Sequence, residues 1–279
     1  MTNSEHLVAK DPLILITNRC NLSCGGCNQL CPSIAPDNKW DIPLDQLRDN
    51  IETLSMFYTC ITIFGGEPTC HPKWKEVKAL LRTYHTIDFW VFTNRLVTKG
   101  ALPKTEGNIY YHCDNEMRAK DAYVPTLIAP IDIYKMPNKG FYWKMAQKYC
   151  WMGHDPNNAH QCPGILYNDK AYLCQPAGAM EYLLGTDFGW QFIPSQNPFL
   201  RSDKEIAQQA REFCYRCAFA FDPETRHALA QQQPLDRLSL ATQTNYGQIS
   251  RNTQLVTIEE ILPILSESAR NIRHRALRL

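Results

Sequence analysis

Three cysteines fall within eight residues, Cys20-Asn21-Leu22-Ser23-Cys24-Gly25-Gly26-Cys27, directly after a short apolar run, Leu13-Ile14-Leu15-Ile16-Thr17. Thiolates this close along a chain converge on one metal centre only from a folded-back loop, and glycines at 25 and 26 allow the positive φ values and close approach that such wrapping needs. Three local thiolates, not four, leave one metal position open to a non-protein ligand. A structural zinc loop completed by Cys31 satisfies the same spacing. The chain begins MTNSEHLVAKDP, without a basic stretch leading into an apolar one, and no apolar run approaches the ~18 residues that cross a bilayer. The expectation is a cytoplasmic protein, in which thiols stay reduced and its twelve cysteines serve metal or redox chemistry ahead of disulfides. Lys+Arg 29 against Asp+Glu 28 leaves a formal charge of +1, so nothing global attracts nucleic acid or an anionic membrane. A small neutral or mixed-charge substrate suits that balance.

Around this loop the sequence alternates strand and helix. The run at residues 13–17 stops at Asn18 and suits a buried parallel strand. From Pro43, Leu44, Leu47, Ile51 and Leu54 follow helical spacing. Cys60-Ile61-Thr62-Ile63-Phe64 reads as a second strand ending at Gly65-Gly66, and Pro72 opens a helix with Val77, Leu80, Leu81 and Tyr84 on one face. A third strand covers residues 88–93, and residues 109–113 and 125–131 are further strand candidates. At 279 residues, 44% apolar and 20% charged, the chain is globular and long enough for one main domain with a smaller appendage. Strand, loop and helix repeated in this order predict a parallel sheet or an incomplete β/α barrel, with chemistry at the C-terminal strand ends.

The pattern changes beyond residue 140. A helix near residues 141–151 leads to Cys162-Pro163-Gly164, and two short strands flank Asn168-Asp169, a hairpin signal. Ser202-Asp203-Lys204-Glu205 is a capping-box pattern opening a helix that delivers Cys214 and Cys217. Glutamines 231–233 read as a loop, and Arg270, Arg273, Arg275 and Arg278 as a solvated helical face.

A CxxxCxxC loop after the first strand, followed by Gly65-Gly66-Glu67-Pro68-Thr69 after the second, resembles the radical S-adenosylmethionine (SAM) superfamily over residues 12–135. The resemblance implies a partial (β/α) TIM-like barrel in which Cys20, Cys24 and Cys27 hold a 4Fe-4S cluster whose fourth iron is chelated by SAM. It gives Gly65, Gly66 and Glu67 to the SAM amino group and Thr93 and Asn94 to its ribose side. The family's aromatic residue before the third cysteine is Gly26 here, which leaves adenine packing to another ring such as Trp40 or Phe64. Backbone carbonyls exposed by a strand-end glycine pair and a carboxylate at Glu67 both make charge-assisted contacts to an ammonium.

Cys162, Cys174, Cys214 and Cys217 form a second set, a hairpin pair plus a CxxC at a helix end, able to supply four tetrahedral thiolates to zinc or to an iron-sulfur cluster. In a chain resembling radical SAM enzymes this set looks like the auxiliary 4Fe-4S site of a Twitch domain, a shortened relative of SPASM domains. The implied organisation is a partial barrel over residues 12–150, a Twitch-like domain over 151–225 and a helical extension over 226–279. Cys31, Cys60, Cys70, Cys113 and Cys150 read as small buried hydrophobes, although Cys70 and Cys113 follow strand ends where a thiol could donate a hydrogen atom and Cys150 could replace an auxiliary ligand. His112, Asp114, Glu116 and Arg118 cluster after a strand, with His112 or Arg118 as candidate base and Cys113 as a further catalytic candidate. His154 and His160 read as solvent-facing loop residues.

By resemblance, an electron from a flavodoxin or ferredoxin initiates SAM cleavage and the 5′-deoxyadenosyl radical abstracts a substrate hydrogen atom. Four cysteines on the auxiliary cluster leave it no site for substrate and suit it to accepting an electron, which favours net oxidation. The closest layout within the resemblance is that of aminocyclitol dehydrogenases of antibiotic biosynthesis, so a small sugar-like or cyclitol-like substrate is expected. Radical modification of a ribosomal peptide is the second reading, set back because only about a dozen residues precede the first strand, too few for a peptide-recognition domain. A non-catalytic zinc-binding protein is the third.

Overall fold

The computed structural model describes residues 5–9, 11–22, 29, 31, 34–94, 103–112, 150, 164–214 and 217. The expected strand at residues 125–131, the helix at 141–151 apart from Cys150, and everything beyond residue 217 lie outside them, as do Gly25, Gly26, Asp114, Glu116, His154 and His160.

The first half follows the expected alternation and adds two short strands, at residues 5–7 and 105–106, that the sequence did not signal. Strand β1 is Glu5–Leu7 and β2 is Leu13–Thr17, buried at every position. Helix α1 runs Leu44–Ser55 and buries Leu47, Ile51 and Leu54, the i, i+4, i+7 stripe of an amphipathic helix. Strand β3 is Cys60–Gly65. Helix α2 begins at Trp74, two residues after Pro72, and ends at Arg82 with Val77 and Leu81 buried. Strand β4 is Asp88–Phe92, β5 is Thr105–Glu106 and β6 is Ile109–His112.

The second half supplies β7, Ile165–Tyr167, and β8, Lys170–Tyr172, turning through Asn168 at φ 57. Helix α3, Gln175–Leu184, and strands β9, Trp190–Gln191, and β10, Leu200–Ser202, were not legible in the sequence. Helix α4, Asp203–Phe213, carries the expected capping box, with Ser202 accepting from Glu205 N and Glu205 from the Ser202 backbone.

Eight strands form one open sheet in the order β5-β6-β4-β3-β2-β7-β8-β9, and β1 pairs with β10 in a separate ribbon. Strands β6, β4, β3, β2 and β7 run parallel, so their C-terminal ends share one edge. The architecture is mixed α/β, and among the described residues the sheet is not closed into a barrel. The hairpin of β7 and β8 is hydrogen-bonded onto β2, through Leu13↔Ile165 and Ile14↔Leu166, so this element extends the main sheet.

Pleat alternation divides the core. One face presents Ile14, Ile63, Phe89, Val91 and Ile109 into the larger apolar cluster with Leu47, Ile51, Val77 and Leu81 of the helices. Each such side chain contributes about 1.5–3 kcal/mol on burial. On the other face Leu13, Leu15, Ile165, Tyr167 and Tyr172 pack with Ala177, Met180 and Phe213 in a second cluster. Farther along that face, Phe64, Trp90, Phe92, Tyr110 and His112 line up by register, and Trp90 is 40% exposed.

Candidate functional site

The shared edge gathers the segments that the sequence singled out. After β2 the chain passes Thr17, Asn18 and Arg19 into the cysteine loop, and each of these three is tied to residues 40 and 41. Thr17 Oγ1 donates to Asp41 Oδ1 at 2.6 Å, Arg19 Nε donates to Asp41 Oδ2 at 2.7 Å, and Asn18 Oδ1 accepts from Trp40 N at 2.7 Å. The pairing register shifts between Leu15 and Thr17, and irregularities of this kind re-aim a strand end. Sequence reasoning missed Asn18, Trp40 and Asp41 in this role, and their spacing from the loop offers no local signal.

Gly65 and Gly66 are required by close approach. A Cβ on Gly65 would sit 2.8 Å from the Thr17 carbonyl oxygen, and one on Gly66 would sit 2.4 Å from that of Arg19 and 2.9 Å from Cys31 Sγ. With no side chains there, Gly66 N donates to Thr17 O at 2.9 Å and Glu67 N to Arg19 O at 2.8 Å. The glycine pair therefore presses the end of β3 against the strand leading into the cysteines.

Glu67 is 1% exposed. Its Oε1 accepts from Thr69 N at 3.2 Å and Thr69 Oγ1 at 2.6 Å and from Thr93 Oγ1 at 2.6 Å. Its Oε2 accepts from Asn94 N at 2.6 Å. A carboxylate offers about four lone-pair sites, and among the described residues three donors meet Oε1 and one meets Oε2, leaving Oε2 the oxygen with room for another donor. Asn94 Nδ2 donates onward to Asn21 Oδ1 at 2.7 Å. Thus Glu67, Thr93, Asn94 and the Cys20-Asn21 start of the loop form one connected network. Leu22 N donates to Cys20 Sγ at 3.4 Å, and Cys24 and Cys27 lie outside the described residues. Gln29, just beyond the loop, is 4% exposed, and its Nε2 is buried without a hydrogen-bond partner among the described residues. An orphaned buried donor costs about 1–3 kcal/mol and is a feature that a bound acceptor would relieve.

Cys70, at the end of a 3-10 turn Pro68–Cys70, lies at the start of the same loop. Burial first, then the Glu67 charge, pushes its thiol up, against a hydrogen bond from the Asn21 backbone and the charge of Arg19. It is held as a thiol. Cys31 is buried, and its carbonyl accepts from Lys39 Nζ at 2.8 Å. Burial, with the charges of Asp11 and Asp88, also raises Cys60, which sits at the opposite end of β3.

His112 ends β6 and is exposed, its ring 4.7 Å from Phe92. Cys113 and Arg118 lie outside the described residues. Trp40 packs edge-on against Tyr167 at 5.1 Å, whereas Phe64 meets Phe92 at 5.8 Å on the open face. Trp90 and Tyr110 stack there at 5.3 Å. These rings had a signal in the alternating Trp90 and Phe92 of β4 and Tyr110 and His112 of β6.

Cys174, of the second cysteine set, stands at the other edge of the sheet. Strand β8 runs antiparallel to β7, so it ends beside the start of β2, where Gly164 N donates to Leu173 O and Leu13 N to Gly164 O. One strand of this length separates the two edges by about 13 Å. Cys174 is the N-cap of α3, where the helix dipole favours a thiolate. Cys214 is the C-cap of α4, and Cys217 N donates to Cys214 O at 3.4 Å. Cys217 belongs to the second apolar cluster, with Cys150 and Cys174 packed against it; Cys162 lies outside the described residues. The donor chemistry, soft thiols beside apolar packing, fits zinc or an iron-sulfur cluster. Among the described residues no three metal-ligating side chains converge on one point.

No protein-family profile and no curated protein matches the chain. Among the described residues no helix is long and apolar enough to cross a membrane.

Proposed function

We propose that the chain is a radical SAM oxidoreductase that oxidises a small sugar-like or cyclitol-like alcohol. The observation that carries the reading is the network at the C-terminal strand edge, in which Glu67 joins Thr93 and Asn94 and Asn94 joins Asn21 beside Cys20. A carboxylate 1% exposed at a strand end, next to a loop of three cysteines, is an arrangement for holding a cofactor.

When bound, the 4Fe-4S cluster and SAM supply reductive cleavage to methionine and a 5′-deoxyadenosyl radical. Cys20, Cys24 and Cys27 would hold the cluster, and Glu67 Oε2, with Gly65 and Gly66, would meet the SAM amino group. Thr93 and Asn94 would lie at the ribose side and fix the carboxylate's orientation. Oxidation of an alcohol to a ketone would remove a hydrogen atom, a hydroxyl proton and one further electron; a base would take the proton, and Cys162, Cys174, Cys214 and Cys217 would hold the second cluster suited to taking the electron. His112 is the described candidate for that base, at the end of β6 on the face carrying Phe92 and Trp90. Rings on that face suit the apolar C–H side of a sugar-like substrate. A flavodoxin or ferredoxin would supply the initiating electron.

The test is iron and sulfide content after anaerobic reconstitution, alongside a variant with Cys20, Cys24 and Cys27 all changed to alanine, and formation of 5′-deoxyadenosine from SAM under reduction. About eight irons in the wild type, about four in the variant, and 5′-deoxyadenosine from the wild type alone support the reading. Colourless protein holding only zinc, with SAM intact, replaces it with a zinc-binding protein. Four irons in the wild type and none in the variant remove the second cluster and with it net oxidation.

A further inference from the structure

Gln209 is 1% exposed on α4 and spends its side chain entirely on backbone groups. Its Oε1 accepts from Leu173 N at 2.6 Å, and its Nε2 donates to Ala171 O at 3.3 Å and Phe188 O at 3.1 Å. Residues two apart on a strand direct their hydrogen-bonding groups to the same side, and β9 pairs with β8 only at Lys170 and Ala171. The Gln209 amide therefore takes the place of a neighbouring strand just where β9 runs out. Leu173 is followed by Cys174, and α4 runs from Gln209 to Phe213 with Cys214 as its C-cap, so this side chain ties the strand end before Cys174 to the helix that ends at Cys214.

We propose that Gln209 is the positioning residue of the second metal site, holding Cys174 in register with Cys214 and Cys217. The inference rests on the reading that Cys162, Cys174, Cys214 and Cys217 bind a metal. A purely apolar residue of the same length would keep α4 packed on the sheet but release the Leu173 and Ala171 backbone, letting the Cys174 end shift against the helix. Loss of a group that orients a ligand typically lowers metal affinity about 10- to 100-fold.

The experiment uses the full chain with Cys20, Cys24 and Cys27 changed to alanine, titrated anaerobically with Co(II), which reports thiolate ligation through its charge-transfer and d–d bands. Cys174→Ala and Cys214→Ala in that background identify the site. Gln209→Met is expected to fold, by circular dichroism, and to bind Co(II) about 10- to 100-fold more weakly with an altered d–d envelope. Gln209→Glu keeps the acceptor for Leu173 N and is expected to fall between Met and wild type; should Gln209→Met fail to fold, this variant carries the test. Cobalt affinity and spectrum unchanged in the folded variants, with only thermal stability lowered, overturn the positioning role and leave the metal site standing. No thiolate band in the background protein, or a band that survives both Cys174→Ala and Cys214→Ala, overturns the metal reading itself.

Discussion

Thr93 Oγ1 lies 2.6 Å from Glu67 Oε1, a hydrogen bond that joins the ends of two adjacent parallel strands beneath the surface. Removing the charge is expected to set the network against itself, because the amide nitrogen in Glu67→Gln would face a backbone N–H in either orientation, that of Thr69 at Oε1 or that of Asn94 at Oε2. The expected cost is about 1–3 kcal/mol in urea unfolding. Thr93→Val should cost less, about 1 kcal/mol, because Glu67 keeps its other donors. Equal stability of Glu67→Gln and wild type would show that the carboxylate is not bound as described.

Gly66→Ala and Gly107→Ala separate close approach from backbone strain. Gly107 has φ +65 with nothing near its would-be Cβ, whereas a Cβ on Gly66 meets the Arg19 carbonyl oxygen. Gly107→Ala should cost about 1–2 kcal/mol through its left-handed backbone alone and leave metal retention at the Cys20 loop untouched. Gly66→Ala should cost about 1–3 kcal/mol by overpacking and lower the iron held by that loop. Equal iron in the two variants would count against the glycine pair as the loop's support.

The capping box ties α4 to acid sensitivity. Burial opposes ionisation of Glu205, but hydrogen bonds from Ser202 and the charge of Arg201 outweigh it and hold the carboxyl below its ordinary range. A depressed folded-state pKa contributes stability that is complete above the unfolded value and disappears as pH falls through the folded one. Ser202→Ala should therefore cost about 1 kcal/mol near neutrality, with the gap to wild type narrowing in acid unfolding. A gap that widens in acid would contradict this assignment.

Glu181, 4% exposed, accepts from Lys170 Nζ, Tyr172 Oη, Phe188 N and Gly189 N. Glu181→Ala leaves Lys170 Nζ its contact to Asp187 but strands three further donors, and is expected to cost about 3–5 kcal/mol by chemical denaturation. Lys170→Met should cost less, since the remaining donors still satisfy the carboxylate. The reverse ranking would place the stabilisation in the ion pair instead.

Elements with strong periodicity were legible in advance. The parallel strands at residues 13–17, 60–64 and 88–93, α1, the Asn168 turn and the Ser202 capping box all fall within a residue or two of the expected bounds. The attachment of β7 to β2 was not, because parallel pairing between distant segments leaves no local mark. Helix α3 escaped because its sequence, QPAGAMEYLL, is apolar nearly all round and lacks an amphipathic stripe. At the candidate site the motif residues were visible, but the roles of Asp41, Asn18 and Gln209 depend on tertiary contacts. Glu67 was legible as a candidate from its motif, yet the four donors around its carboxylate were not.

The pairing of β2 with β7 also sets an order of events during synthesis. Strand β3 reaches β2 early, but the other side of β2 stays an open edge until residues 165 and 166 have left the ribosome. A nascent chain must hold Leu13 and Leu15, apolar and finally buried, without the partner that covers them, and exposed strand edges of this kind invite pairing with other chains. Translational pausing before residue 164 should therefore favour aggregation, and chaperone dependence should fall once the hairpin has emerged. The thiols beyond that hairpin join a sheet whose strands β2, β3, β4 and β6 have already emerged.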